Sequence, residues 1–210
     1  MNAVTVDRIT KTFGEHRALD SISMALELGK IYGLVGRNSS GKSLLMKCIA
    51  GLLRPTSGSI SVFGQRIGRD VDFAPDTGIV IEQPGLLMKK SAMKNLYTLA
   101  SLTSKPVRSE LEELLRMVGL DPLEKKAVYK YSMGMKQRLG IAMALVGHPR
   151  LLLLDEPMSN LDRNSADDMR ALFKELAANG KTLVVATHVQ EDISNLCDQV
   201  FHMESGKIVG

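Results

Sequence analysis

Several features of secreted or disulfide-stabilised proteins are missing from this sequence of 210 residues. It has only two cysteines, Cys48 and Cys197, with no CxxC spacing that would suggest a disulfide framework or a zinc site. We therefore expect both thiols to be buried and the protein to reside in the cytoplasm, where thiols stay reduced. The first seven residues also lack the charged and apolar regions of a signal peptide.

Long apolar segments are missing as well. The best candidate, residues 139–147, has nine residues, whereas a helix needs about 18 to cross a bilayer. A composition of 44% hydrophobic and 24% charged residues excludes collagen-like, disordered and disulfide-scaffold classes. A chain of this length buries roughly 70% of its unfolded surface, so its core needs no disulfide or metal.

Positive charge is concentrated in the middle of the chain. With 27 basic and 23 acidic residues the net charge is +4, yet residues 86–138 contain eleven basic and five acidic side chains. This segment therefore has a net charge of +6, and the rest of the chain has a net charge of −2. Such a segment could contact anionic lipid headgroups, an acidic partner or nucleic acid, or it could be a solvated helical face.

The hydrophobic pattern predicts an α/β fold. The first 30 residues alternate between apolar and polar, which is typical of antiparallel strands, and residues 31–35 form a fully buried strand. Residues 91–147 show helical spacing, with a further helix expected to begin at Asp121 ahead of Pro122. Apolar strands then alternate with helices up to the end of the chain.

This order predicts one domain, residues 1–210, with a mainly parallel sheet. We expect residues 1–85 and 148–210 to form the α/β core, which includes an N-terminal antiparallel β portion. Residues 86–147 are expected to form an inserted helical lobe.

A phosphate-binding motif follows the buried strand. Residues 36–43 read GRNSSGKS and match G-x-x-x-x-G-K-[ST] in full. Glycines let backbone N–H groups turn towards a phosphate chain, and the start of the next helix adds partial positive charge. We expect Lys42 to reach the β- and γ-phosphates and Ser43 to coordinate Mg²⁺. The residues predicted to bind nucleotide are Gly36, Asn38, Ser39, Ser40, Gly41, Lys42 and Ser43.

Two consecutive acids follow the apolar run at residues 151–154. Asp155 is placed to hold Mg²⁺ beside the phosphate loop, through water. Glu156 is placed to orient or deprotonate a water molecule that attacks the γ-phosphate. The two carboxylates together favour hydrolysis of the nucleotide over binding alone.

A segment between these motifs indicates the class of P-loop protein. Residues 131–138 read YSMGMKQR, and Ser132 is suited to N-cap a helix there. The Ser-x-Gly step before Lys-Gln-Arg resembles the signature motif of ATP-binding-cassette (ABC) ATPases, and the resemblance covers residues 4–209. In that family the start of this helix faces the γ-phosphate bound by the opposite subunit. The resemblance therefore implies that Ser132 and Gly134 contact ATP.

Other family landmarks occur in the family's order. Phe13 resembles the aromatic residue that stacks on adenine, and Gln83 resembles the Q-loop glutamine that reaches Mg²⁺ and the attacking water. Asp162 ends a segment that resembles the D-loop, and His188 resembles the switch histidine. The resemblance thus implies ATP and Mg²⁺ as cofactors, with catalysis by Glu156, His188 and Gln83 and metal binding by Ser43, Gln83 and Asp155.

The signature departs from the family's usual Leu-Ser-Gly-Gly-Gln at three positions, Tyr131, Met133 and Met135. Methionine at position 135 removes one polar contact, whereas Ser132 and Gly134 retain the donors expected to face the γ-phosphate. The variant is similar to that of bacterial exporters linked to bacitracin and lantibiotic resistance.

One phosphate loop and one signature per chain imply a head-to-tail dimer with a second copy or a homologous ATPase chain. The resemblance further implies an ATPase subunit that powers export through separate transmembrane permease subunits on the cytoplasmic face of the cell membrane, with no nucleic-acid partner. The alternative is a soluble ABC-type ATPase that remodels nucleic acid or ribosomes, but the long coiled coils or paired cassettes of such members do not fit 210 residues. A GTPase switch would need an Asn-Lys-x-Asp tetrad, which this sequence lacks.

Overall fold

The computed structural model describes residues 2–102 and 105–209, in which strands and helices alternate. In chain order the elements are β1 (Asn2–Phe13), β2 (His16–Glu27), β3 (Ile31–Val35), α1 (Lys42–Ala50), β4 (Ser57–Val62), β5 (Gln65–Arg66), β6 (Thr77–Val80), α2 (Ala92–Ala100), α3 (Arg108–Met117), a 3₁₀ helix (Val128–Lys130), α4 (Met133–Ala144), β7 (Leu151–Asp155), α5 (Arg163–Ala178), β8 (Thr182–Thr187), α6 (Gln190–Leu196), β9 (Gln199–Glu204) and β10 (Lys207–Ile208). None of the described helices is both long enough and apolar enough to span a bilayer.

The strands form two sheets of different kinds. An antiparallel sheet has the order β2-β1-β4-β5, and a six-stranded sheet has the order β10-β9-β3-β8-β7-β6. In the larger sheet β9, β3, β8, β7 and β6 run parallel, while β10 pairs with β9 in the antiparallel sense. The predicted α/β fold, with a mainly parallel sheet and an antiparallel β portion, is confirmed.

Each face of the parallel sheet has its own hydrophobic core, because successive residues of a strand point to opposite faces. In β7, Leu152 and Leu154 belong to the core beneath the helices that follow β6. Leu151 and Leu153 belong to the core shared with α1 and the antiparallel sheet. All four are at most 1% exposed. Burial on both faces explains why this strand reads as an uninterrupted apolar run.

The segment between β6 and β7 contains α2, α3, the 3₁₀ helix and α4. The helix expected at Asp121 is wrong, because the chain forms a turn there. The Asp121 side chain accepts a hydrogen bond from the N–H of Leu123 (2.9 Å), and Leu123 is 67% exposed. No apolar face is buried that could stabilise a short helix. The lobe boundaries at residues 86 and 147 stay a prediction.

Both cysteines are free, but their burial differs. Cys48 on α1 is fully buried, whereas Cys197 after α6 is half-buried. Burial raises the pKa of both thiols to about 11. The thiols are therefore protonated at neutral pH, which fits a packing role.

Candidate nucleotide site

The predicted phosphate loop connects β3 to α1 at the carboxyl end of the parallel sheet. Gly41 is the N-cap of α1 and has φ +105°, a left-handed backbone that favours glycine. A Cβ atom on Gly36 would lie 2.3 Å from the carbonyl oxygen of Met203. The backbone conformation therefore requires glycine at position 41, and close packing requires glycine at position 36.

Lys42 and Ser40 show where an anion fits in this loop. The Lys42 Nζ donates hydrogen bonds to the carbonyl oxygens of Gly36 (2.7 Å) and Arg37 (3.1 Å), and it pairs with no carboxylate in the described part of the chain. The Ser40 Oγ is buried without a hydrogen-bond partner among the same residues. An ammonium bonded only to carbonyls, beside an unpaired hydroxyl, is suited to a phosphate group.

Ser43 and Asp155 provide oxygen ligands of the kind that Mg²⁺ prefers. The Ser43 Oγ donates a hydrogen bond to Oδ2 of Asp155 (2.5 Å), and Asp155 is only 8% exposed at the end of β7. Mg²⁺ commonly binds through one or two carboxylates together with water and substrate phosphates. This pair of oxygens therefore fits a magnesium ion that binds together with a nucleotide.

Glu156 and His188 meet at the same edge of the sheet. The Nδ1 of His188 lies 2.7 Å from Oε1 of Glu156. Because an ionised carboxylate can only accept, Nδ1 is the donor in this contact whenever Glu156 is charged. The Glu156 N–H donates to the carbonyl of Ala186 on β8 (2.8 Å), which fixes its main chain. The Glu156 side chain remains 26% exposed, so that water can reach the carboxylate.

One cavity of about 660 Å³ brings seven of the fifteen predicted site residues together. It lies at the carboxyl end of the parallel sheet, where α/β proteins bind ligands. The predicted residues in its lining are Asn38, Ser39, Gly41, Lys42, Ser43, Asp155 and Glu156. His188 does not line the cavity but contacts Glu156.

Phe13 and Gln83 lie outside this cavity, as do Gly36 and Ser40 of the phosphate loop. Phe13 is 50% exposed at the end of β1, with the Lys11 Nζ 5.1 Å from its ring centroid. Its cross-strand partner His16 does line the cavity. Gln83 is exposed and is not part of the lining.

Ser132 and Gly134 of the signature segment do not line the cavity. Ser132 is the N-cap of α4 and accepts a hydrogen bond from the N–H of Met135 (3.1 Å), which confirms its predicted capping role. A Cβ atom on Gly134 would lie 3.0 Å from the carbonyl oxygen of Asn160, so α4 packs closely against this loop. Asp162 ends the loop and caps α5. Hydrogen bonds from the N–H and hydroxyl of Ser165 lower the pKa of Asp162.

The lining includes three charged residues that the sequence did not single out, Arg17, Lys47 and Glu82. The Lys47 Nζ and the Glu82 Oε1 form an ion pair at 2.5 Å. Lys47 lies one turn after Ser43 on α1, and this spacing could have identified it. Glu82 has φ +61°, a left-handed backbone conformation that the sequence did not predict. In this loop the carboxylate of Glu82, and not the amide of Gln83, lines the cavity.

The hairpin of β9 and β10 also contributes to the lining, through Ser205 and Gly206. The Gly206 N–H donates to the carbonyl of Ser40 (3.0 Å), and the Gly206 carbonyl accepts from the N–H of Asp20 (2.8 Å). These bonds attach the β9–β10 hairpin to the phosphate loop and to β2. They join residues far apart in sequence, which explains why the motifs did not reveal them.

Comparison with known proteins identifies relatives along nearly the whole chain. A family model described as ABC transporter matches residues 19–159. The uncharacterized ABC transporter ATP-binding protein YybJ of Bacillus subtilis is 35% identical over 98% of this chain and 94% of its own length. The bacitracin transport ATP-binding protein BcrA of Bacillus licheniformis is 36% identical over 96% of this chain and 66% of its own length. The lantibiotic transport ATP-binding protein SrtF of Streptococcus pyogenes is 34% identical over 97% of this chain and 88% of its own length.

Solved structures agree with these relatives. The dimeric structure of the bacterial ABC transporter cassette MJ0796 superposes with a TM-score of 0.88 at 25% identity, covering 99% of this chain and 97% of that one. The structure of cbiO1 from Clostridium perfringens, part of the ABC transporter complex cbiONQ, gives a TM-score of 0.85 at 28% identity. The match covers 100% of this chain and 87% of that one. The family model, the relatives and the fold all agree with the signature and the phosphate loop. The chain therefore belongs to the ABC transporter family as an ATP-binding cassette, and it is homologous to the ATP-binding proteins of bacitracin and lantibiotic transport.

Proposed function

We propose that this chain hydrolyses ATP as the Mg²⁺-dependent ATPase subunit of a multi-subunit exporter. The observation that carries the proposal is the meeting of three features at one edge of the parallel sheet: the phosphate loop, the Ser43–Asp155 pair and the Glu156–His188 pair. Relatives named for bacitracin and lantibiotic transport support an antimicrobial peptide or another small molecule as the exported substrate.

The chain's own residues account for the steps of hydrolysis. Lys42 exchanges its bonds to the loop carbonyls for phosphate oxygens of ATP. When bound at Ser43 and Asp155, Mg²⁺ would neutralise phosphate charge. Glu156 accepts a proton from the attacking water while the new O–Pγ bond forms and the bond from Pγ to the bridging oxygen breaks. His188 orients the Glu156 carboxylate through its Nδ1 contact.

A second chain completes the site in this proposal. Ser132 and Gly134 lie outside the cavity of their own chain, on a surface that they share with Asn160. In a head-to-tail dimer they would face the γ-phosphate of the other chain, where the N-terminus of α4 adds partial positive charge. The dimeric structure of the related cassette MJ0796 supports this assembly. Phe13, whose cross-strand partner His16 lines the cavity, would stack on adenine.

The proposal is tested by measuring phosphate release from ATP by the purified chain. We expect release in Mg²⁺ and none after the metal is chelated with EDTA, because Ser43 and Asp155 need the ion to hold the phosphates. Bound ATP that is not hydrolysed in Mg²⁺ would show a binding protein and reject the ATPase.

We propose that Glu82 takes the role expected of Gln83, because its carboxylate lines the cavity and is held by Lys47. Replacing Glu82 with Ala is expected to lower turnover at least about tenfold, since a charged group near the metal and water is lost. Gln83→Ala should stay within about twofold of the unchanged chain, because this side chain is exposed. Steady-state ATPase rates compare the two variants. A larger loss of turnover in Gln83→Ala than in Glu82→Ala would show that Gln83 has the role proposed here for Glu82.

The partner subunit is proposed to dock on a patch formed by Leu87, Met88 and Tyr129. These side chains are 43%, 39% and 56% exposed. Their backbone is nevertheless fixed: the buried Asn95 side chain bonds to both the N–H and the carbonyl of Leu87, and the Tyr129 N–H donates to Met88 (2.9 Å). A rigid loop with exposed apolar side chains is typical of a protein contact site. Leu87 and Met88 follow Glu82 and Gln83 by only a few residues, which supports a link between this patch and the nucleotide site.

Changing Leu87 and Met88 together to Ser should release the chain from the membrane fraction of its native host. We expect the basal ATPase of the purified variant to remain within about twofold, because the cavity is not altered. Leu123→Ser is the matched control, since Leu123 is an exposed leucine outside the patch. A variant that unfolds, at the ~2–5 kcal/mol cost typical of core truncation, would show that these residues belong to the core instead.

A further inference from the structure

A buried ion pair between α5 and α6 lies behind the Glu156–His188 contact. Arg170 and Asp192 are 8% and 2% exposed. The Nε and NH2 atoms of Arg170 lie 2.8 Å and 2.7 Å from Oδ1 of Asp192, and its NH1 donates to Asp167 (2.6 Å). Apolar residues of similar volume often stabilise a core as well as a buried ion pair does. Stability alone therefore does not account for these charges.

The second carboxylate oxygen of Asp192 connects the ion pair to the backbone around His188. The Thr187 Oγ1 donates to Oδ2 of Asp192 (3.1 Å) and accepts a hydrogen bond from the N–H of Val189 (3.1 Å). One hydroxyl thus links the residues on both sides of His188 to a fixed carboxylate. Thr187 is 1% exposed, so water does not readily replace these bonds.

The His188 side chain has little else to hold it. Its imidazole is 60% exposed, and Glu156 is its one hydrogen-bond partner within residues 2–102 and 105–209. The direction of the ring is therefore set by the backbone between Thr187 and Val189. That backbone is in turn held by Asp192 and Arg170.

We propose that Arg170, Asp192 and Thr187 are positioning residues that orient His188 towards Glu156 for ATP hydrolysis. The inference rests on the proposed function, because this orientation affects turnover only if His188 and Glu156 act on ATP. None of the three residues lines the cavity, so their effect on ATP binding is expected to be small.

Thr187→Val tests this arrangement, because valine keeps the branched shape and loses the hydroxyl. We expect kcat for ATP to fall about tenfold while KM changes less than twofold, since the cavity lining is intact. Thr187→Ser restores the hydroxyl and should return kcat to within twofold of the unchanged chain. Thr187→Val with unchanged kcat, or a loss that Thr187→Ser shares, overturns the proposal.

An NMR measurement separates positioning from a general loss of stability. The Cε1–H resonance of His188, assigned by its disappearance in His188→Gln, should shift or broaden in Thr187→Val and stay in place in Thr187→Ser. The resonance of exposed His148 serves as the internal control. An unmoved His188 resonance in Thr187→Val contradicts the proposal, whatever the ATPase rate.

A second variant covers the case in which Thr187→Val does not fold. Arg170→Met combined with Asp192→Leu replaces the ion pair by apolar side chains, which cores often tolerate. The same fall in kcat with unchanged KM is expected, and wild-type kcat overturns the inference.

The ATPase rate of His188→Gln distinguishes a failure of the proposed function from a failure of the positioning role of Arg170, Asp192 and Thr187. A wild-type rate rejects the proposed role of His188 and the inference with it. If His188→Gln is inactive while the ion-pair variant is fully active, the inference alone fails.

Discussion

Replacing Glu156 with Gln is expected to lower the turnover of ATP by about 10²- to 10⁴-fold. The amide has nearly the shape of the carboxylate but cannot accept the proton of the attacking water. ATP affinity should persist, because Lys42, Ser43 and Asp155 still hold the phosphates and the metal. With ATP bound and not hydrolysed, the two chains should remain together. The dimer is then detected by size-exclusion chromatography in MgATP.

The matched control is Glu175→Gln, which makes the same chemical change at an exposed position of α5. It should leave turnover and elution volume unchanged. Wild-type turnover in Glu156→Gln would show that another group accepts the proton, and the proposed chemistry would have to be rebuilt around that group.

Lys42→Met is expected to abolish most nucleotide binding as well as turnover. The Lys42 ammonium is the charged donor inside the phosphate loop, and methionine keeps the length of the side chain without the charge. Removing a donor that faces developing phosphate charge costs about 10²–10³-fold in rate. Equilibrium binding of a fluorescent ATP analogue, together with ATPase rates, measures both effects.

Lys174→Met provides the comparison, because Lys174 is an exposed lysine of α5 outside the cavity. Its binding and turnover should match those of the unchanged chain. The loop should also remain folded in Lys42→Met, since Gly36 and Gly206 continue to pack on their backbone neighbours. If Lys42→Met retained its ATP affinity, the backbone N–H groups of the loop would be sufficient to bind the phosphates.

Local patterns in the sequence predicted much of the fold. Residues 31–35 and 151–154 read as buried strands because both faces of each strand meet a core. The phosphate loop was recognisable because its residues form one contiguous motif, although only Gly41 is required by its local backbone conformation and Gly36 is required by packing against Met203. The helix expected at Asp121 failed for the opposite reason: its capping residues were suitable, but nothing in the tertiary structure buries a face there.

The site was less completely predictable, because its remaining contacts depend on tertiary structure. A single left-handed backbone angle at Glu82 decides that this side chain, and not Gln83, lines the cavity. Gly206 reaches the phosphate loop from the other end of the chain. The pairing of Arg170 with Asp192 joins two helices that the sequence only places one after the other.

The double burial of β7 has a mechanical consequence. Any sliding of this strand would open voids in two close-packed cores at once, which protein interiors resist. Asp155 and Glu156, at its end, are therefore stationary points of the molecule. In the proposed function, we expect the groups that approach this edge of the sheet to move instead, namely the nucleotide, the loop of Glu82 and the second chain. A permease subunit, in the same proposal, would be driven by these moving parts and not by the two carboxylates.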